Sequence, residues 1–324
     1  MISLTSVQVD RAVGSVLASA AGDALGSQYE FGPSLADDVV PEFGIGYFGH
    51  GVGEWTDDTS MAMPILHQLA EGHRLEDPVA LAAIVEDWLQ WSHTSRDVGA
   101  QTRALLGRLV VGAITEESAR AASESLHAQH GKSGGNGSLM RTGPVALGYL
   151  DRSPAELAAA AGRVAKLTHW EDDNADACAL WCLAIRHAIL TGEVDVRAQL
   201  EWIPAQRRER WLHLIDDAEG RHPRDLSQDN GWVVRAFQAA LAAVSGSTSL
   251  ADALERAVRG GNDTDTIAAI AGSLAGARYG ASAVPAEWRG VLHGWPDLRA
   301  TDLERLTLSA LATENLISTN HEGP

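Results

Sequence analysis

The chain has 324 residues, 45% of them hydrophobic, which is enough apolar material for one large or two ordinary cores and too much for an intrinsically disordered chain. Its 25 Lys and Arg stand against 43 Asp and Glu, and the resulting net charge of −18 is spread along the sequence, a balance that repels nucleic-acid phosphates and anionic membranes. The longest apolar stretch, around residues 178–190, is broken by Arg186 and His187 and falls short of the roughly 20 residues that a membrane span needs.

Residues 1–10 show no basic segment followed by an apolar run, so no export signal is expected and a cytoplasmic location is. Wherever apolar residues recur with a clear period, the period is helical, and no alternating β-branched run suggests a strand. The expected fold is therefore all-α, a single compact domain of orthogonally packed helices over residues 1–324. In chain order the spacing predicts helices over 9–25, 59–70, 81–91 and 98–110, with Asp97 placed to cap the last of these. Ser153-Pro154-Ala155-Glu156 combines an N-cap, a proline at the first helical position and a capping-box glutamate before a helix at 157–167. Further helices run from Asn174 to a stop at Gly192, over 230–244 with a stop at Gly246, from Ser249 to Gly260-Gly261, and over 302–311. Cys178 and Cys182 lie four apart in a helical pattern, too few and wrongly spaced for a disulfide framework or a zinc site, and read as core. Residues 313–324 lose apolar periodicity and are expected to be a frayed tail.

Two helix starts carry unusual chemistry. Trp55-Thr56-Asp57-Asp58-Thr59-Ser60 runs into Met61-Ala62-Met63, and Gly260-Gly261-Asn262-Asp263-Thr264-Asp265-Thr266 runs into Ile267-Ala268-Ala269-Ile270. Helix capping accounts for one acid at each start. It does not account for a second acid in both places, because paired like charges are costly without a cation. Oxygen donors of this kind suit Mg²⁺ or Mn²⁺, whereas zinc prefers the His and Cys that both segments lack. Capping and metal binding both stand as readings at this point. Between the two starts lies Ser133-Gly134-Gly135-Asn136-Gly137-Ser138-Leu139-Met140-Arg141, a glycine-rich loop entering a helix. Its amides suit an anion, although it matches neither the Walker loop nor the dinucleotide fingerprint and a plain turn explains it equally. Glu30, Asp97 and His169 are odd for a helical core, and taken singly each also reads as a surface acid, a cap or a satisfied histidine.

The order Gly22-Asp23-Ala24-Leu25-Gly26, Trp55-Thr56-Asp57-Asp58-Thr59, Asp97-Val98-Gly99, Gly135-Asn136-Gly137-Ser138-Leu139-Met140-Arg141, Thr168-His169 and Gly261-Asn262-Asp263-Thr264-Asp265-Thr266 resembles the ADP-ribosylglycohydrolase family over about residues 10–280. The resemblance implies an all-helical hydrolase that holds two Mg²⁺ (or Mn²⁺) ions in a cleft and cleaves ADP-ribose from an acceptor. It implies Thr56, Asp57, Asp58, Asp263, Asp265 and Thr266 as metal ligands and Asp97 and Glu30 as catalytic acids beside the ribose. Ser133, Gly134, Gly135, Asn136 and Gly137 would cradle the diphosphate, with Gly99, Ser138, Met140 and His169 completing the substrate site. After the histidine the chain departs from many relatives, with Trp170-Glu171-Asp172-Asp173-Asn174 expected to add acids close to the cleft. Any of the 10 Trp that line the cleft would suit adenine stacking.

In the expected mechanism, the ions hold the ribose hydroxyls and lower the pKa of a water that attacks the anomeric carbon. The transition state is oxocarbenium-like, so Asp97 would stabilise it or take the water's proton, and Glu30 would act as base or move when substrate enters. The expected partner is ADP-ribose or an ADP-ribosylated protein, with arginine or serine as acceptor, and neither a membrane nor a large nucleic acid. Two other readings keep the same residues: a hydrolase of small or nucleic-acid-linked ADP-ribose conjugates, and a non-catalytic ADP-ribose-binding or structural protein.

Overall fold

Side chains at the helix starts fix where the backbone turns. In a computed structural model that describes residues 3–313, Thr5 and Gln8 form a capping box at the head of α1 (Ser6–Gly26). Next come α2 (Asp57–Ala70), α3 (Pro78–Ser92, capped by Asp77 with Pro78 at its first position) and α4 (Ala100–Leu106). They are followed by α5 (Glu116–His130) and by α6 (Pro154–Ala165), whose Ser153–Glu156 capping box is the one the sequence announces. The chain continues through α7 (Asp172–Thr191), closed by Gly192 in the left-handed conformation, α8 (Ala205–Ala218) and α9 (Val233–Ser245). It ends with α10 (Leu250–Arg259), α11 (Thr264–Tyr279), α12 (Ala286–Val291), the two-residue strands β1 (His293–Gly294) and β2 (Leu298–Arg299), and α13 (Ala300–Thr313). The all-α expectation holds, and the antiparallel β1–β2 pair is too short to leave a sequence pattern.

The most extensive helix pairing is between α1 and α11. Glycines make it possible: a methyl group on Gly22 would sit 2.2 Å from the Ala268 carbonyl oxygen, and one on Gly272 would sit 2.2 Å from that of Ala18. Around this pair α7, α9 and α10 pack on α11, while α13 packs on both α1 and α2, and the buried apolar side chains form one continuous cluster. Cys178 and Cys182 are free and buried within it, and burial pushes the Cys178 thiol up to about 11. No helix among the described residues is long and apolar enough to cross a membrane.

Besides β1–β2 and α12 (Ala286–Val291), which the spacing does not predict, the structure departs from the sequence expectation in four places. The helix expected over 98–110 is only α4, with Gly99 rather than Asp97 at its cap; the chain turns at Gly107 and leaves Val110 and Val111 exposed. Helices α5 and α8 carry no strong apolar stripe, α8 burying only Trp211, Ile215 and Ala218 among charged neighbours, so periodicity does not reveal them. The glycine-rich loop enters a 3₁₀ turn, Asn136–Ser138, rather than an α-helix. Thr313 closes α13, donating to the Leu69 carbonyl at 3.0 Å, and the rest of the expected tail, 314–324, lies outside the described residues.

Candidate active site

At the two acidic helix starts, neither Thr56 nor Asp263 caps its own helix through its side chain. The head of α2 is instead satisfied from outside. Asp23, near the end of α1, accepts from the Thr56 amide and hydroxyl at 2.8 and 2.6 Å through Oδ1, and from the Thr59 amide and hydroxyl at 2.9 and 2.6 Å through Oδ2. Asp97 Oδ2 accepts from the Asp57 amide at 3.1 Å. With their backbone duty taken over, the side chains of Asp57 and Asp58 are left for other work. Four donors fill the four lone-pair positions of Asp23, which makes it a brace even though its carboxylate lies within 4.8 Å of those of Asp58 and Asp265.

The head of α11 is tied to the same place. The Thr264 hydroxyl donates to the Gly26 carbonyl at 2.9 Å. The loop after Glu30 pairs with the turn before α11, the Phe31 amide donating to the Asn262 carbonyl at 2.7 Å and the Asn262 amide to that of Gly32 at 2.9 Å. Gly261 and Asn262 adopt φ of 82° and 65°, a left-handed step that glycine and asparagine tolerate best. As a result one carboxylate oxygen each from Glu30, Asp263 and Asp265 comes within 4.8 Å of the others.

Without a cation this cluster is electrostatically unfavourable. Burial, then repulsion from neighbouring carboxylates, holds Asp57, Asp58 and Asp265 well above the ordinary carboxylate range. Burial followed by repulsion from Asp263 and Asp97 pushes Glu30 up to about 8. Asp58 is fully buried, and its Oδ1 has no hydrogen-bond partner among the described residues. An orphaned carboxylate oxygen facing further hard oxygens fits a divalent cation such as Mg²⁺ or Mn²⁺.

Above this floor opens a cleft of about 430 Å³ lined by Glu30, Asp57, Asp97, Gly99, Gly135, Asn136, Gly137, Met140, His169, Asp263, Asp265 and Thr266, with Phe31, Phe48 and Arg96 at its wall. Thr56 and Asp58 lie beneath it, both buried. Asp97 accepts from the Asp57 amide and from Ser95 Oγ at 2.5 Å, and His50 Nε2 lies 3.2 Å from its Oδ2. Asn136 bridges the loop to the acids, its Nδ2 donating to Asp263 Oδ2 at 2.7 Å.

The glycine-rich loop divides its residues between two spaces. Asn136 and Gly137 face the acidic cleft, Gly135 lines both spaces, and Ser133 and Gly134 face a neighbouring hollow of about 1090 Å³ that is also lined by Trp170 and Trp232. Ser133 is fully used within the protein: its amide donates to Glu171 at 2.5 Å, its carbonyl accepts from Gln101 at 3.0 Å and its hydroxyl meets His127 Nδ1 at 2.8 Å. Ser138 is buried and turned to Asn174, whose Nδ2 donates to it at 2.8 Å and to the Gly135 carbonyl at 2.7 Å. The acids after His169 lie close to the cleft, in the wall of the neighbouring hollow, and each is engaged by the protein. Glu171 supports the loop, Asp172 pairs with Lys166 and Arg207 at 3.2 Å each, and Asp173 pairs with Arg210. The sequence reading missed Asp23, Gln101 and His50 as site-building residues. Asp23 lies within a motif it quoted, but nothing local marks the partners of the other two.

Residues 4–319 match the family model described as ADP-ribosylglycohydrolase. The chain belongs to that family. Among ADP-ribosylglycohydrolase relatives, it is 33% identical over 288 residues to the ADP-ribosylarginine hydrolase Tri1 of Pseudomonas putida (strain GB-1), covering 86% of this chain and 73% of that one. It is 29% identical to the ADP-ribosyl-[dinitrogen reductase] glycohydrolase of Rhodospirillum rubrum, covering 86% and 89%, and 25% identical to human ADP-ribosylhydrolase ARH3, covering 78% of each. A solved structure titled ADP-ribosylglycohydrolase-related protein complex superposes with a TM-score of 0.71 at 25% identity, covering 96% of this chain and all of that one.

Proposed function

We propose that this ADP-ribosylglycohydrolase removes ADP-ribose from a modified protein side chain, with arginine as acceptor and two Mg²⁺ or Mn²⁺ ions held by Thr56, Asp57, Asp58, Asp263, Asp265 and Thr266. The observation that carries the reading is the orphaned Oδ1 of Asp58 within a buried acidic cluster that forms the floor of a cleft. The choice of arginine rests on the similarity to Tri1, which is named for that acceptor. Bound ions of this class orient a water, lower its pKa and offset the charge of a diphosphate.

The protein's own residues then have distinct tasks. Asp97, held at the cleft wall by the Asp57 amide and Ser95 Oγ, takes the proton of the attacking water as its oxygen bonds to the anomeric carbon. The bond from that carbon to the acceptor nitrogen breaks with its electron pair staying on the nitrogen, which takes up a proton from bulk water while Asp97 returns to bulk water the one it accepted. Glu30, across the cleft beside Asp263 and Asp265, completes the acidic wall around the ribose. Gly135 and Gly137 bring bare backbone close to the substrate's anionic part, and Trp232, 39% exposed in the adjoining hollow, offers a face to adenine. The test is release of ADP-ribose from arginine- and serine-linked peptides, with Mg²⁺ and after chelation. The reading expects metal-dependent release from the arginine-linked peptide. Release that persists in chelator removes the ions from the mechanism, and preference for the serine-linked peptide replaces the acceptor.

A further inference from the structure

We infer that Arg141 and Thr168 fix His169 as the neutral imidazole whose Nε2–H points into the cleft, so that His169 serves as a hydrogen-bond donor to a substrate oxygen and not as a proton acceptor. Arg141 is fully buried, with no carboxylate in hydrogen-bond or ion-pair reach among the described residues, its guanidinium stacked 4.0 Å over the Trp88 ring. A guanidinium can only donate, so the 2.6 Å contact between Arg141 Nη2 and Thr168 Oγ1 makes the hydroxyl oxygen an acceptor there. The single hydroxyl proton of Thr168 then goes to the atom at 2.7 Å on its other side, His169 Nδ1. The reverse arrangement, with Nδ1 donating, would leave the hydroxyl proton of a buried threonine without an acceptor among the described residues, a costly outcome. With Nδ1 accepting, the proton of the neutral ring sits on Nε2.

The surroundings agree with this assignment. Burial, and then the nearby Arg141 charge, holds His169 well below the ordinary histidine range, which excludes the doubly protonated ring. Nε2 faces the cleft side of the glycine-rich loop: methyl groups on Gly135 or Gly137 would each lie 3.3 Å from it, and no protein acceptor reaches it among the described residues. Gln101 locks the backbone of this arrangement, its Nε2 donating to the Thr168 carbonyl at 2.9 Å as well as to that of Ser133. A donor fixed beside bare glycine backbone suits a phosphate, ether or hydroxyl oxygen. Arg141 and Thr168 are positioning residues that act through His169.

The tautomer stands independently of the proposed function, which supplies only the identity of the oxygen that His169 meets. It is read by long-range proton–nitrogen correlation spectra of the full chain labelled with ¹⁵N-histidine, near neutral pH with Mg²⁺, His169 being assigned by its loss in His169→Gln. The expected pattern is Nε2 protonated and Nδ1 bare in the wild type and in Thr168→Ser, with a displaced Nδ1 resonance or a mixture of tautomers in Thr168→Val. A protonated Nδ1 in the wild type, or a Thr168→Val spectrum identical to it, overturns the inference. Calorimetry with ADP-ribose adds the functional arm: about tenfold weaker binding in Thr168→Val, restored in Thr168→Ser. The wild-type spectrum decides the tautomer even if Thr168→Val fails to fold. The expected tautomer in a protein that binds no ADP-ribose would sink the functional reading alone.

Discussion

Asp97 and Asp23 show how the same side chain takes different roles according to its donors. Asp97 accepts two hydrogen bonds and still lines the cleft, which under the proposed function places it to exchange a proton with a substrate. Asp97→Asn is expected to lower kcat by about 10²-fold or more while leaving the affinity for ADP-ribose within a few-fold, measured by steady-state kinetics and calorimetry. An unchanged kcat removes it from the mechanism. Asp23 spends all its lone pairs on Thr56 and Thr59. In Asp23→Asn an amide NH₂ faces two donors, so a loss of roughly 1–3 kcal/mol of stability is expected together with weaker Mg²⁺ binding, read by thermal melts with and without the ion. For Asp58→Asn and Asp265→Asn the expectation is loss of metal-dependent hydrolysis with the helical circular dichroism intact. Normal activity in both variants would remove the acidic cluster from catalysis.

At the level of helices, the site exists because α1 and α11 approach without side chains between them, bringing Asp23 and Gly26 of one helix to Asp265 of the other. Gly272→Ala would place its methyl group 2.2 Å from the Ala18 carbonyl and force the pair apart. The expected cost is about 1–3 kcal/mol, together with weaker Mg²⁺ binding, although residue 272 lies two turns from the acids. Melting and ion titration of the same variant check both, and full Mg²⁺ affinity at lowered stability would show that the helix spacing does not set the site. Helices with a strong apolar stripe or a marked cap, such as α6 and α7, were legible from spacing alone. So were the doubled acids at Asp57-Asp58 and Asp263-Asp265, because capping needs only one of each pair. What spacing cannot carry is which distant carboxylate caps which helix: Asp97 reads as the cap of its own α4 and instead serves α2. Nor can it reveal α8, whose buried face is three residues among charges, or that Glu171 supports a loop rather than adding charge to the cleft.

Across the protein, the buried acids couple stability to pH and to cations. The carboxyls of Asp57, Asp58 and Asp265 titrate above their ordinary range in the folded chain, and that of Glu30 near 8, so without a cation the folded state holds more protons than the unfolded one. The sign follows from linkage: this stability is present below the ordinary carboxylate range and is lost as pH rises through the folded-state values, which for Glu30 is about 8. The Tm of chelated protein is therefore expected to fall between about pH 5 and pH 8, and Mg²⁺ is expected to raise it most at the upper end, where protons offset least of the carboxylate charge. A Tm that rises over that range in chelator contradicts the assignment. The acidic floor and the glycine loop make a joint demand, since a diphosphate in a cleft of carboxylates that have lost their protons needs cations to offset their charge. Calorimetric titration of ADP-ribose into the purified protein, first with Mg²⁺ and then after chelation, reads that demand without any chemical step. Micromolar binding that collapses on chelation is the predicted result, and binding of equal strength in both conditions would contradict it.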